Sequence, residues 1–163
     1  MSTEKNLKDA FAGESQANRK YTAFAKKADA DGFPAVAKLF RAAAEAEAIH
    51  AASHLKALAG IKSTAENLQA AIDGETYEFT SMYPGFIAEA ETEGAKQAKM
   101  AFNQANEAEK VHAGLYKKAL STLENKSDMD YYLCTVCGYI HENGAPDKCP
   151  ICGASAKAFK NAG

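Results

Sequence analysis

The run EAEAIHAASH, residues 45–54, sits inside a long alanine-rich stretch. Alanine has the strongest helix propensity, so the run reads as helix. On a helix, residues three apart share a face, and Glu47 with His50 can aim two metal-ligating groups at one spot. One Glu-x-x-His pair is weak, because a solvated helix face produces such pairs by chance. A second occurs at residues 107–113, where EAEKVHA repeats EAEAIHA of residues 45–51 at five of seven positions, sixty-two residues later. The two copies use His50 and His112, half of the four histidines in the chain. The chain therefore reads as a duplicated helical hairpin, each copy bearing Glu-x-x-His on its second helix.

Working outward, Leu7, Ala10, Phe11, Ala17, Tyr21, Phe24, Ala25 and Ala28 recur at helical spacing and predict a helix from residue 3 to about 30. DGFP at residues 31–34 stops it, and Pro34 is placed to open a second helix that reaches about 59 and ends at Gly60. Ser63 or Thr64 can cap a third helix reaching about 93, with Pro84 kinking or interrupting it. After a turn at Gly94 a fourth runs to about Leu123. Four helices of about 25 residues on short turns predict an all-α antiparallel four-helix bundle over residues 1–125. ENKSDMD, residues 124–130, is polar and reads as a linker. Residues 126–163 hold all four cysteines, with Gly and Pro around them, and form a small loop-rich module.

Composition narrows the function. The chain has 163 residues, 47% of them hydrophobic, which is enough for a real core, and a net charge of −2 that gives no reason to expect nucleic acid. MSTEKNLKDAF at the start has no apolar signal region, and no run approaches the roughly 20 apolar residues of a membrane span. A soluble, cytoplasmic protein is expected. Cys134-x2-Cys137 and Cys149-x2-Cys152, eleven residues apart, point to reduced thiolates around one tetrahedral metal rather than to disulfides. Gly138 and Gly153 follow the pairs and suit tight knuckles. Spacing leaves zinc and iron open, since both accept four thiolates. A redox-capable site elsewhere in the chain would give an iron centre a use.

That other site needs a carboxylate from each remaining helix. Glu14 lies eighteen residues before Gly32, and Glu47 fifteen after it. Glu75 and Glu78 lie nineteen and sixteen before Gly94, and Glu109 fifteen after it. At about 1.5 Å per residue these carboxylates come within roughly a turn of a common height. Glu89, Glu91 and Glu93 sit too near the turn, and Glu45 and Glu107 point elsewhere. His54 is expected at the surface or beside the site, and His141 exposed. Oxygen-rich ligation with one or two imidazoles suits iron or manganese.

With these residues assembled, the chain resembles the rubrerythrin family from end to end. AFAGESQANRKY (10–21), AEAEAIHA, GETYEFTSMYPGF (74–86), NEAEKVHAGLYKKAL and CTVCGY…CPICGA carry the resemblance. It implies a ferritin-like bundle with a rubredoxin-like module. It implies two irons bridged by Glu47 and Glu109, with Glu14 on one and Glu75 and His112 on the other. The first iron would exchange Glu78 for His50 on reduction. Tyr21 and Tyr83 would lie just behind the ligands, and Cys134, Cys137, Cys149 and Cys152 would hold a mononuclear iron. The activity implied is reduction of hydrogen peroxide to water. Its electrons would come from a rubredoxin or an NAD(P)H-dependent rubredoxin reductase, as no Gly-rich dinucleotide motif occurs here. A ferritin-like ferroxidase or iron-handling role is the alternative, and a helical adaptor with a zinc ribbon a third. A module at one end of a bundle about 35–40 Å long lies far from a mid-bundle site. The family's head-to-tail homodimer, which sets one subunit's module beside the other's di-iron site, is therefore expected.

Overall fold

The computed structural model describes residues 2–126 and 128–163, so Met1 and Ser127, the latter within the expected linker, lie outside the description. The chain forms two compact units, residues 1–62 and 63–163.

The first unit is a hairpin of α1 (Thr3–Ala30) and α2 (Pro34–Ala57). Ser2 caps α1 by accepting the Lys5 N–H through its hydroxyl. The turn follows from Gly32, which takes φ +80°, a left-handed value that only glycine adopts cheaply. Gly32 N–H then bonds Asp29 O, Phe33 N–H bonds Ala28 O, and Pro34 opens α2. The helices meet along small residues: Ala25, Ala28, Ala37, Ala44 and Ala51 are buried. Asn18 reaches across to donate to Ala44 O at 2.6 Å. Tyr21, Phe24 and Phe40 form an aromatic cluster with ring centroids 5.5–6.3 Å apart. Helix α2 ends two residues before the expected 59, because Ala59 turns left-handed at φ +51°.

In the second unit Ser63, not Thr64, caps α3 (Thr64–Tyr77), in a reciprocal capping box with Glu66. The expected helix to 93 is broken. After α3 the chain widens into a π-turn (Glu78–Met82) and resumes as α4 (Tyr83–Thr92). Pro84 has no N–H for the α-helical ladder, and the Tyr83 N–H reaches back five residues to Glu78 O. Gly94, at φ +68°, repeats the turn chemistry of Gly32: its N–H bonds Glu91 O while Ala95 N–H bonds Ala90 O. Helix α5 (Lys96–Ser121) follows, ending within two residues of the expected Leu123, and a 3-10 turn (Leu123–Asn125) comes after it. Tyr83, Phe86 and Phe102 form a second aromatic cluster, 5.6–6.2 Å between centroids. Each lies sixty-two positions after its counterpart among Tyr21, Phe24 and Phe40.

The same unit includes the cysteine module. Its antiparallel sheet is ordered β2 (Ile140–Glu142), β1 (Tyr131–Cys134), β3 (Phe159–Asn161), with Leu133 opposite both Ile140 and Lys160. It seats on α5. Lys118 Nζ lies 2.7 Å from Glu142 Oε2. Leu68, Leu115 and Tyr116 of the helices face Tyr131 and Ile140 of the sheet across an apolar cavity of about 320 Å³. Among the described residues no helix is long and apolar enough to cross a membrane.

Candidate metal centres

The four cysteines converge, with Cys134 and Cys149 buried and all four free of disulfides. Cys134 Sγ lies 3.7 Å from Cys152 Sγ, and Cys137 Sγ 3.5 Å from Cys149 Sγ. A tetrahedron with metal–sulfur bonds of about 2.3 Å has edges of about 3.75 Å, so these thiols stand at metal-binding distances. The knuckles explain the closeness. Gly138 (φ +84°) and Gly153 (φ +75°) return their N–H groups to Cys134 O and Cys149 O. The same backbone tunes the thiols. Burial opposes ionisation of Cys149, but the Cys152 and Ile151 N–H groups outweigh it and bring the thiol down to about 7. Burial pushes the Cys137 and Cys152 thiols up, and only a cation stabilises four thiolates together.

The carboxylates and histidines gather into two groups of matching make-up, Glu14, Glu47 and His50 in the first unit, and Glu75, Glu109 and His112 in the second. Within each group the ligand atoms lie within 4.8 Å of one another. His50 Nδ1 is 2.9 Å from Glu47 Oε2. His112 Nδ1 is 2.5 Å from Glu109 Oε2 and 3.9 Å from Glu75 Oε1. Imidazole nitrogens and carboxylate oxygens so close require a proton or a cation between them. Glu75 shows the strain of the grouping. Burial, with Glu109 beside it, raises its carboxyl to about 6, against the partial relief of His112.

Glu78 belongs to neither group of three, but its carboxyl is also raised, by burial and then by Glu75. Tyr83 sits in the field of Glu78, Glu109 and Glu75; burial first, then those carboxylates, hold its phenol above the usual value. Tyr21 packs between Phe24 and Phe40. Glu45, Glu89, Glu91, Glu93 and Glu107 are exposed, Glu91 and Glu107 paired with Lys99 and Lys110. His54 is half-buried and outside both groups. His141, expected to be exposed, is half-buried too, because its Nδ1 meets Gly144 O at 2.9 Å and its ring lies against Tyr139.

Two residues near the second group were not read from the sequence as part of it. Tyr116 lies one turn beyond His112, its phenol raised by burial, then Glu75 and Glu109. Gly138 matters through its backbone: its carbonyl oxygen accepts a 2.9 Å hydrogen bond from His112 Nε2. The first cysteine knuckle therefore touches a histidine of the same chain. The expected long separation between the cysteine module and the carboxylate–histidine residues of one chain does not hold for the second group. The reason is that the module folds back along α5 rather than standing beyond its end.

A helical chain with paired carboxylate–histidine groups and a rubredoxin-like four-thiolate module defines a class of two-centre iron proteins. The chain belongs to the rubrerythrin family: the family model described as Rubrerythrin matches residues 5–120, and that for the rubrerythrin rubredoxin-like domain matches residues 132–160. Among its relatives, nigerythrin from Nitratidesulfovibrio vulgaris is 41% identical over 165 residues, covering 93% of this chain and 82% of that one. Rubrerythrin from Porphyromonas gingivalis is 39% identical over 177 residues, covering 97% and 88%. The solved structure of nigerythrin in its fully reduced, all-ferrous state superposes with a TM-score of 0.60 at 39% identity, covering 99% of this chain and 87% of that one. The fold is thus the ferritin-like helical class with a rubredoxin-like module, and family members are oxidoreductases. The cofactors that fit this chain are two irons for the carboxylate–histidine residues and one for the four thiolates.

Proposed function

We propose that the chain is a non-haem di-iron peroxidase that reduces hydrogen peroxide to water in the cytoplasm, in defence against oxidative stress. The observation that carries the reading is the pairing of two matching Glu/Glu/His groups with a four-thiolate cluster whose knuckle bonds one of the histidines. In this reading residues 1–125 form the di-iron domain, residues 126–163 the electron-supplying domain, and the two ligand groups supply the iron ligands. Glu47 and Glu109, with Glu14, Glu75 and His112, would hold the two irons, and Glu78 and His50 would serve as ligands that depend on oxidation state. Irons held there would supply the two electrons that reduction of an O–O bond requires.

The chain's own residues handle protons and orientation. Glu75 titrates near 6 and so can hold and release a proton close to neutral pH, and burial and Glu75 raise the Glu78 carboxyl in the same direction. The Tyr83 phenol stays neutral beside them and can donate a hydrogen bond toward the carboxylates. Electrons would arrive from a separate rubredoxin or a pyridine-nucleotide-dependent rubredoxin reductase, and a homodimer remains part of the reading. Anaerobically reduced, iron-loaded protein should consume one peroxide for every two electrons it holds, about 1.5 per chain when all three irons are ferrous, and show ferric thiolate absorption as it does so. Reduced protein that leaves added peroxide intact overturns the proposal.

A further inference from the structure

We propose that the substrates extend to organic hydroperoxides, small neutral molecules whose hydrocarbon tail lies in the apolar cavity between α3, α5 and the sheet. The proposal rests on the peroxidase reading and names a second substrate class for the Glu75, Glu109 and His112 group. The cavity, of about 320 Å³, is walled by Leu68, Leu115 and Ile140, and among the described residues no acid, lysine or arginine lines it. Such a space offers nothing to hydrogen peroxide, which is as polar as the water that apolar cavities exclude. A hydrocarbon tail gains there in proportion to the apolar area it removes from water. An engineered apolar cavity of about 150 Å³ takes benzene, so this larger one has room for a phenyl ring and a few methyl groups.

Two lining residues set the cavity beside the chemistry. His112 lies 2.5 Å from Glu109 and 3.9 Å from Glu75, and the Tyr116 phenol lies in the field of both carboxylates. They are the polar part of an otherwise apolar wall, and the phenol O–H can donate to a peroxide oxygen. The uncharged lining suits a neutral hydroperoxide, whereas an ionised tail would lose its water there without gaining a partner. In the reaction the O–O bond breaks, the oxygen on the tail leaves as an alcohol and the other as water. Two electrons and two protons are consumed, and the external donor of the peroxide reaction supplies the electrons.

The test compares hydrogen peroxide with cumene hydroperoxide on anaerobically reduced, iron-loaded full-length protein, with the return of ferric thiolate colour giving a second-order rate constant for each. Wild type should oxidise with both. In Ala119→Phe, which fills the cavity, the ratio of the cumene hydroperoxide constant to the hydrogen peroxide constant should fall at least about fivefold. A smaller fall overturns the inference, as does wild type that reduces hydrogen peroxide but leaves cumene hydroperoxide intact. An unchanged ratio with slower oxidation by dioxygen would give the cavity to dioxygen and equally overturn it. If the variant does not fold, binding decides on zinc-loaded wild type. There 2-phenyl-2-propanol, the alcohol product, should shift the methyl resonances of Leu68, Leu115 and Ile140 at millimolar concentration, and unmoved methyls overturn the inference. Wild type inert toward both peroxides would instead sink the peroxidase reading, and the same binding measurement would still judge the cavity.

Discussion

His50 and His112 hold the same place in the two repeats but live differently: the His50 side chain is 55% exposed and the His112 side chain 15%. His112 is held at both nitrogens, by Glu109 and by Gly138 O, whereas the bond found for His50 is the one to Glu47. A loosely held histidine suits a ligand that comes and goes. His50→Ala should therefore load near-normal iron by metal analysis yet lose most of its peroxide turnover, on the order of tenfold or more. Glu75 gives a pH signature in the metal-free protein. Its carboxyl is harder to ionise in the folded chain, at about 6 against an ordinary 4.5. The stabilisation is present below about pH 4.5 and fades as pH rises through about 6. Wild-type melting temperature should fall across that window, and Glu75→Gln should flatten the fall; an unchanged slope would remove Glu75 as its source. Iron loading runs the other way, since the metal needs the carboxylate ionised and must displace a proton below about pH 6. The ligand side chains were legible because duplication doubled their signature. The contact of the Gly138 carbonyl with His112 was not, because a backbone carbonyl leaves no mark in the residue alphabet.

At the scale of elements, the helices were readable where local chemistry decides them. Ser63 with Glu66 closes a capping box, and Gly32 and Gly94 take the left-handed values that end helices. Ser63→Ala should cost about 1 kcal/mol in a denaturant titration, and the same loss is expected of Gly94→Ala through its strained φ. The third helix was readable only in part. Pro84 announces an interruption, but whether the chain kinks or widens depends on packing along α5, where Tyr83 must meet Phe102. The π-turn is how the backbone satisfies both.

For the whole chain, the existence of a thiolate module was plain from Cys-x2-Cys spacing, while its seat was not. Spacing says nothing of which surface Leu133, Ile140 and Glu142 will face. The seat depends on contacts such as Lys118 with Glu142, distant in sequence. Removing the metal should loosen the module first, since three short strands carry little core of their own. Chelation should abolish protection of the Cys134 and Thr135 amides in hydrogen exchange while leaving α1 and α2 protected. Equal loss in both regions would show that the metal stabilises the chain as a whole.

The π-turn also records descent. Every matched pair beyond it stands sixty-two positions apart: Tyr21 with Tyr83, Gly32 with Gly94, Glu47 with Glu109, His50 with His112. Before it the interval is sixty-one, as in Gly13 with Gly74 and Glu14 with Glu75. The second copy is therefore one residue longer than the first between Glu75 and Tyr83, a stretch that includes the π-turn. At the position that reads Ala17 in the first copy, the second reads Glu78, at the first residue of the widened turn. A difference of one residue, taken up within a single widened turn, is where the spacing of the two repeats parts.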